Sequence, residues 1–196
     1  MRDRKVFLIT DRYLSRHLER RDSLEIVWKN GALASDRDLL ERTYRRLSGL
    51  ERPIVILWLG TCHFTEKKRR GDKCMRGLTP AEVLYDVEEV ARYIQQRNSP
   101  VHVVLLQCTV YSIKLRNNRR GFDGDYDCND RQLENLIHIC NEILDEKNGM
   151  STPTFFMDLL KNTNTNKGTR SRFYYKYNLY TNGIHPNDHL AKLWLL

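Results

Sequence analysis

Apolar residues along this chain concentrate in short runs, separated by stretches in which they recur every three or four positions. The runs are Lys5–Ile9, Leu24–Trp28, Ile54–Leu59, Val101–Cys108 and Thr154–Leu159. Runs this short and this apolar predict strands buried on both faces. The periodic stretches predict helices. Tyr13–Arg20 follows Asp11. Ser35 caps a second helix with Asp36 and Asp38 in its first turn and an apolar face of Leu39, Leu40, Tyr44 and Leu47. Thr79-Pro80-Ala81-Glu82 reads as a capping box with proline at the first helical position. Its helix carries Val83, Leu84, Val87, Val90, Ala91 and Ile94 on one side. A fourth helix spans Asp130–Asp145, with Leu133, Leu136, Ile137, Cys140, Ile143 and Leu144 inward, and a closing helix spans Pro186–Leu195. Residues 66–76, the stretch from Thr109 to Asp130, and 161–176 read as polar loops.

Strands alternating with helices predict an α/β fold, an open parallel sheet covered on both faces. In such sheets function gathers beyond the carboxyl ends of the strands. The segments to weigh are therefore Thr10-Asp11-Arg12, Asn30-Gly31, Gly60-Thr61-Cys62-His63, Thr109–Ser112 and Asn182–His185.

Composition narrows the class. The 196 residues suit one domain spanning 1–196, and 40% hydrophobic with 30% charged residues is globular. The longest apolar run is far below the ~18 residues of a membrane span. The apolar run after Lys5 is too short for a signal peptide. Five cysteines, an odd number without a Cys-x-x-Cys, fit free thiols in a reducing compartment, cytoplasm or nucleus.

Net charge is +8 and the excess is local. Residues 66–76 carry six bases against two acids, 114–120 four bases and no acid, and 161–176 five bases and no acid. Such loops suit a polyanion, and non-specific nucleic acid or an anionic ligand is the partner class they imply.

The segments after the strands resemble the blocks of the SGNH (GDSL-type) hydrolase superfamily over nearly the whole chain. Phe7-Leu8-Ile9-Thr10-Asp11-Arg12 stands where that family has a strand ending in Gly-Asp-Ser. Gly31 matches the second-block glycine. Trp58-Leu59-Gly60-Thr61-Cys62-His63 stands for a strand followed by Gly-x-Asn-Asp, and Asn182-Gly183-Ile184-His185-Pro186 for Asp-x-x-His-Pro. More narrowly, Ile54–Thr65 and Tyr180–Leu195 are similar to degenerate SGNH-like domains of animal transposable-element proteins. The resemblance implies a three-layer, flavodoxin-like α/β/α fold with a five-stranded parallel sheet.

The same resemblance implies a damaged catalytic set. His185 matches the family's histidine and Gly31 its oxyanion glycine. Arg12 replaces the serine and cannot attack a carbonyl, because it stays protonated. Asn182 replaces the aspartate and offers no charge to an imidazolium. Cys62 replaces the oxyanion asparagine. The expectation is a non-catalytic or weakly active binding domain, a pseudoenzyme with Thr10, Asp11, Arg12, Gly31, Gly60 and His63 lining its pocket and no cofactor. The alternative is an atypical esterase or acyl hydrolase using His185 with Cys62 or another nucleophile.

Metal sites are weaker readings. His185 and His189 are four apart, with Cys62, His63 and Cys74 as further zinc donors, yet Pro186 opens the helix after His185, so the two do not share a helical face. Asp123-x-Asp125-x-Asp127 resembles a calcium loop but has Cys128 where the loop needs glycine.

Overall fold

A computed structural model describes residues 5–11, 24–29, 31–98, 100–148, 161–164, 172–175, 179–181 and 187–193. The expected helix Tyr13–Arg20 and strand Thr154–Leu159 lie outside the described residues, as do Arg12, Asn182 and His185.

Among the described residues, four strands form one parallel sheet: β1 (Val6–Asp11), β2 (Leu24–Lys29), β3 (Ile54–Leu57) and β6 (His102–Leu105), in the order β2-β1-β3-β6. Phe7 stands beside Glu25 on one neighbour and Val55 on the other; Ile9 stands beside Val27 and Leu57. Because successive side chains alternate between faces, each strand serves two cores. Phe7, Ile9, Val27, Val55 and Leu57 pack with Leu39 and Leu47 of α1 (Arg37–Leu47) and with Val87, Val90 and Ile94 of α2 (Pro80–Arg97). On the other face, Leu8 packs with Leu133, Ile137, Cys140 and Leu144 of α4 (Asp127–Asn148) and with Leu190 of α5 (Asp188–Leu193). The result is the three-layer α/β/α arrangement.

Local chemistry places the helix starts. Thr79 Oγ1 accepts the Glu82 amide and the Glu82 carboxylate accepts the Thr79 amide, which is the expected capping box. For α1 the cap is Asp36 rather than Ser35. Its carboxylate accepts the Leu39 amide at 3.3 Å and is anchored by Lys29 Nζ at 2.7 Å, a partner that Ser35 does not have.

Three polar stretches contain structure that apolar periodicity did not reveal. Residues 66–76 belong to an antiparallel hairpin of β4 (Thr65–Lys67) and β5 (Lys73–Met75). The stretch before α4 includes α3 (Ile113–Asn118), capped by the Ser112 hydroxyl on the Leu115 amide. Within 161–176, β7 (Lys161–Asn164) and β8 (Arg172–Tyr175) pair antiparallel. Helix α4 also begins at Asp127, three residues ahead of expectation.

Candidate functional site

The chain leaves β1 for β2 on one side of the sheet and then returns to place β3 on the other side. The crevice beyond the carboxyl ends of β1 and β3 is therefore a topological switch point. Thr10 and Asp11 end β1, and Thr10 is buried. The Trp58 amide donates to the Ile9 carbonyl at 2.9 Å, which keeps the segment after β3 against β1 for one more residue.

Gly60 then turns the chain with φ +122°. A side chain is excluded there twice over: the conformation disfavours L-residues, and a Cβ would sit 2.4 Å from Cys108 Sγ. The turn continues as a short 3₁₀ helix, Thr61–His63. Thr61 Oγ1 donates to the Thr109 carbonyl at 3.0 Å, tying this turn to the segment after β6.

His63 is buried, and its Nε2 accepts the Ala34 amide at 2.8 Å. An accepting Nε2 leaves the proton of the neutral ring on the buried Nδ1. Burial holds the His63 pKa below its ordinary value, against the opposing charge of Asp86. The ring thus works as a neutral strut between the loop after β3 and the loop after β2. With its lone pair already engaged, it is no general base for Cys62. The second loop also holds Gly31, whose φ of +60° serves the turn itself, since nothing lies within 4 Å of its Cβ position.

Cys62 is half-buried in the same turn. Cys108 and Cys140 lie behind it in the core, with sulfurs 3.9 Å apart. Cys108 also donates to the Leu59 carbonyl. The hydrogen bond with Cys140 and complete burial push the Cys108 thiol well above its ordinary pKa, so it is no nucleophile at neutral pH. Asn141 of α4 accepts the Cys108 amide at 2.7 Å and donates to its carbonyl at 2.9 Å, replacing a neighbouring strand where β6 has ended.

Thr10, Asp11, Gly31, Gly60, Cys62 and His63 thus occupy segments at one edge of the sheet. Several supporting residues escaped sequence reasoning. Ala34 contributes only its backbone, so no side chain announces it. Asn141 had a signal: it sits beside Ile137, Cys140 and Leu144 on an otherwise apolar helix face. Asp130 is buried, accepting the Ser112 hydroxyl and the Ile113 amide at 2.6 Å each. Burial nonetheless raises its pKa. Thr65 and Tyr111 share a buried hydroxyl–hydroxyl hydrogen bond, and Lys73 Nζ donates to both, at 3.1 and 3.2 Å. With Thr65 and Tyr111 both buried, this cluster is a polar knot rather than an exposed nucleophile. Among the described residues no group of histidine, cysteine and carboxylate side chains is arranged to hold a metal ion, and no helix is long and apolar enough to cross a membrane.

No family model matches this chain, and no curated protein matches it. Solved structures do. The chain aligns over 98% of its length with 88% of a GDSL-like lipase from Bacteroides thetaiotaomicron, at TM-score 0.57 and 12% identity. It aligns over 97% of its length with 91% of the lipase/acylhydrolase from Enterococcus faecalis, at TM-score 0.55 and 12% identity. A psychrotrophic esterase from Pseudoalteromonas sp. matches over 96% of this chain and 91% of its own, at TM-score 0.52 and 14% identity. Identities this low speak for the fold alone, and the fold is that of the GDSL/SGNH-type hydrolases.

Proposed function

We propose that this SGNH-fold chain uses its switch-point crevice to bind an anion, and that it lacks ordinary serine acyl transfer. The observation carrying this reading is the end of β1. The strand ends at Thr10-Asp11, and Arg12 follows in the sequence where the resemblance expects the serine of SGNH hydrolases. A guanidinium offers forked donors to a phosphate or carboxylate and no lone pair for attack. Cys62 in place of an asparagine and Asn182 in place of an aspartate weaken the oxyanion and base roles together. The likeness of Ile54–Thr65 and Tyr180–Leu195 to degenerate SGNH-like domains of animal transposable elements supports the same reading.

The test compares melting temperature and ester turnover in the wild type, Arg12→Ser, and Arg12→Ser/Asn182→Asp. Phosphate or sulfate raises the wild-type melting temperature by mass action. The single variant loses that shift and gains little turnover; the double variant gains more. An unchanged anion shift in Arg12→Ser overturns the assignment of Arg12 to the crevice. The half-buried Cys62 favours one competing reading, a thiol esterase paired with His185. Wild-type turnover of a nitrophenyl ester well above that of His185→Ala, and abolished by thiol alkylation, establishes that reading instead.

A further inference from the structure

Two of the basic stretches lie far apart in sequence but dock on each other. Asn117 of α3 accepts the Lys73 amide at 2.8 Å and donates to the Lys73 carbonyl at 2.8 Å. It therefore acts as a third strand beside β5. Arg116, itself buried, donates to the Gly71 carbonyl at 3.4 Å and to Asn117 Oδ1 at 3.0 Å. Phe122 closes the contact from the other side, where its ring lies 3.3 Å from the Cβ position of Gly71. Within the hairpin, the Lys68 amide donates to the Asp72 carbonyl and the Gly71 amide to the Lys68 carbonyl, each at 2.8 Å. The tip is thus held from within and from α3.

This docking leaves Lys67, Lys68, Arg69, Arg70 and Arg76 of the hairpin exposed beside Arg119 and Arg120 at the end of α3. None of these seven forms an ion pair among the described residues. Lys114, by contrast, is neutralised by Asp127 at 2.8 Å. The carboxylates in these two stretches, Glu66 and Asp72, are outnumbered. Unpaired cations on a fixed support keep their charge for a partner and lose little further freedom on binding.

We propose that the β4–β5 hairpin and the end of α3 form one cationic platform that binds the phosphate backbone of nucleic acid without reading its sequence. Arginine supplies five of the seven cations (Arg69, Arg70, Arg76, Arg119 and Arg120), and its forked donors fit phosphate oxygens. An amphipathic membrane-surface site buries apolar side chains beside its cations. The large hydrophobic residues exposed among the described residues, Tyr85 and Ile139, lie on α2 and α4, outside the platform. The platform uses residues other than those of the switch-point crevice and stands or falls separately from the anion reading above.

The test measures binding of the full chain to a short mixed-sequence DNA duplex across a salt series. The variants are Arg69→Glu/Arg70→Glu and Arg119→Glu/Arg120→Glu. The control, Arg37→Glu/Arg45→Glu, makes the same charge change on α1, which packs on the opposite face of the sheet from α4. All six positions are exposed, and melting temperature verifies that each variant folds. Each platform pair weakens low-salt binding by about tenfold or more and reduces the log–log salt slope by roughly two, while the control pair leaves both nearly unchanged. Equal losses in all three variants overturn the platform in favour of bulk charge. Absence of low-salt binding by the wild type, or stronger binding to anionic lipid vesicles than to the duplex, overturns it as well.

Discussion

The imidazole of His63 accepts the backbone amide of Ala34, and this one bond links the loop after β3 to the loop after β2 at the carboxyl edge of the sheet. The bond requires a ring without a proton on Nε2. The folded state depresses the His63 pKa, so the unfolded chain binds more protons as pH falls. The resulting stability is fully present above the unfolded value of 6.5 and is lost as pH drops through and below it. In His63→Gln, whose amide oxygen can still accept from Ala34 but does not titrate, that part of the pH dependence disappears. Denaturant midpoints between about pH 5 and 8 check it. His63→Ala instead leaves a buried amide unpaired, at a cost of about 1–3 kcal/mol.

Asp130 shifts in the opposite direction. Burial raises its pKa in spite of the Ser112 and Ile113 hydrogen bonds. The folded state then holds its proton to higher pH than the unfolded chain does, so this group's contribution to stability falls as pH rises above the ordinary value of 3.8. Asp130→Asn removes that loss and keeps an acceptor for the amides of Ile113 and Lys114, so it retains most of the stability near neutral pH. Asp130→Ala strands the buried donors and costs about 1–3 kcal/mol. Comparing the two variants by chemical denaturation at acid and neutral pH separates the charge from the hydrogen bonds.

Gly60→Ala meets two obstacles, the φ of +122° and the Cys108 sulfur. Together they cost about 3 kcal/mol. Adding Cys108→Ala clears the collision and leaves the backbone strain. The double variant therefore recovers part of the loss relative to the sum of the single variants, and a denaturant-based double-mutant cycle measures that coupling.

The parts of the fold legible in sequence were those written by near neighbours. The Thr79–Glu82 box spans four residues, and the runs around Phe7, Val55 and Val103 carry enough apolar side chains to declare strands. The β4–β5 hairpin gave no such signal. Its strands have three residues each, and much of its support comes from Asn117, forty-four positions away. The edge of the sheet was legible as a place, because the residues after each strand can be listed from the chain alone. Its internal wiring was not. Nothing at position 34 distinguishes a buried amide that meets a histidine from any other alanine, and Ser35 looks as good a cap as Asp36 until Lys29 is seen reaching across from β2.

The graded burial of the thiols gives the molecule a two-speed chemical clock. Cys128 is exposed, whereas Cys108 and Cys140 sit at 1% and 0% exposure with Asn141 clamped on the Cys108 backbone. An alkylating reagent marks Cys128 at the speed of a free thiol. It reaches the Cys108–Cys140 pair only during moments when α4 lifts from the sheet. The ratio of the two labelling rates, read by mass spectrometry on a single sample, reports the free energy of that opening when reclosing outpaces alkylation, with Cys128 as the internal standard.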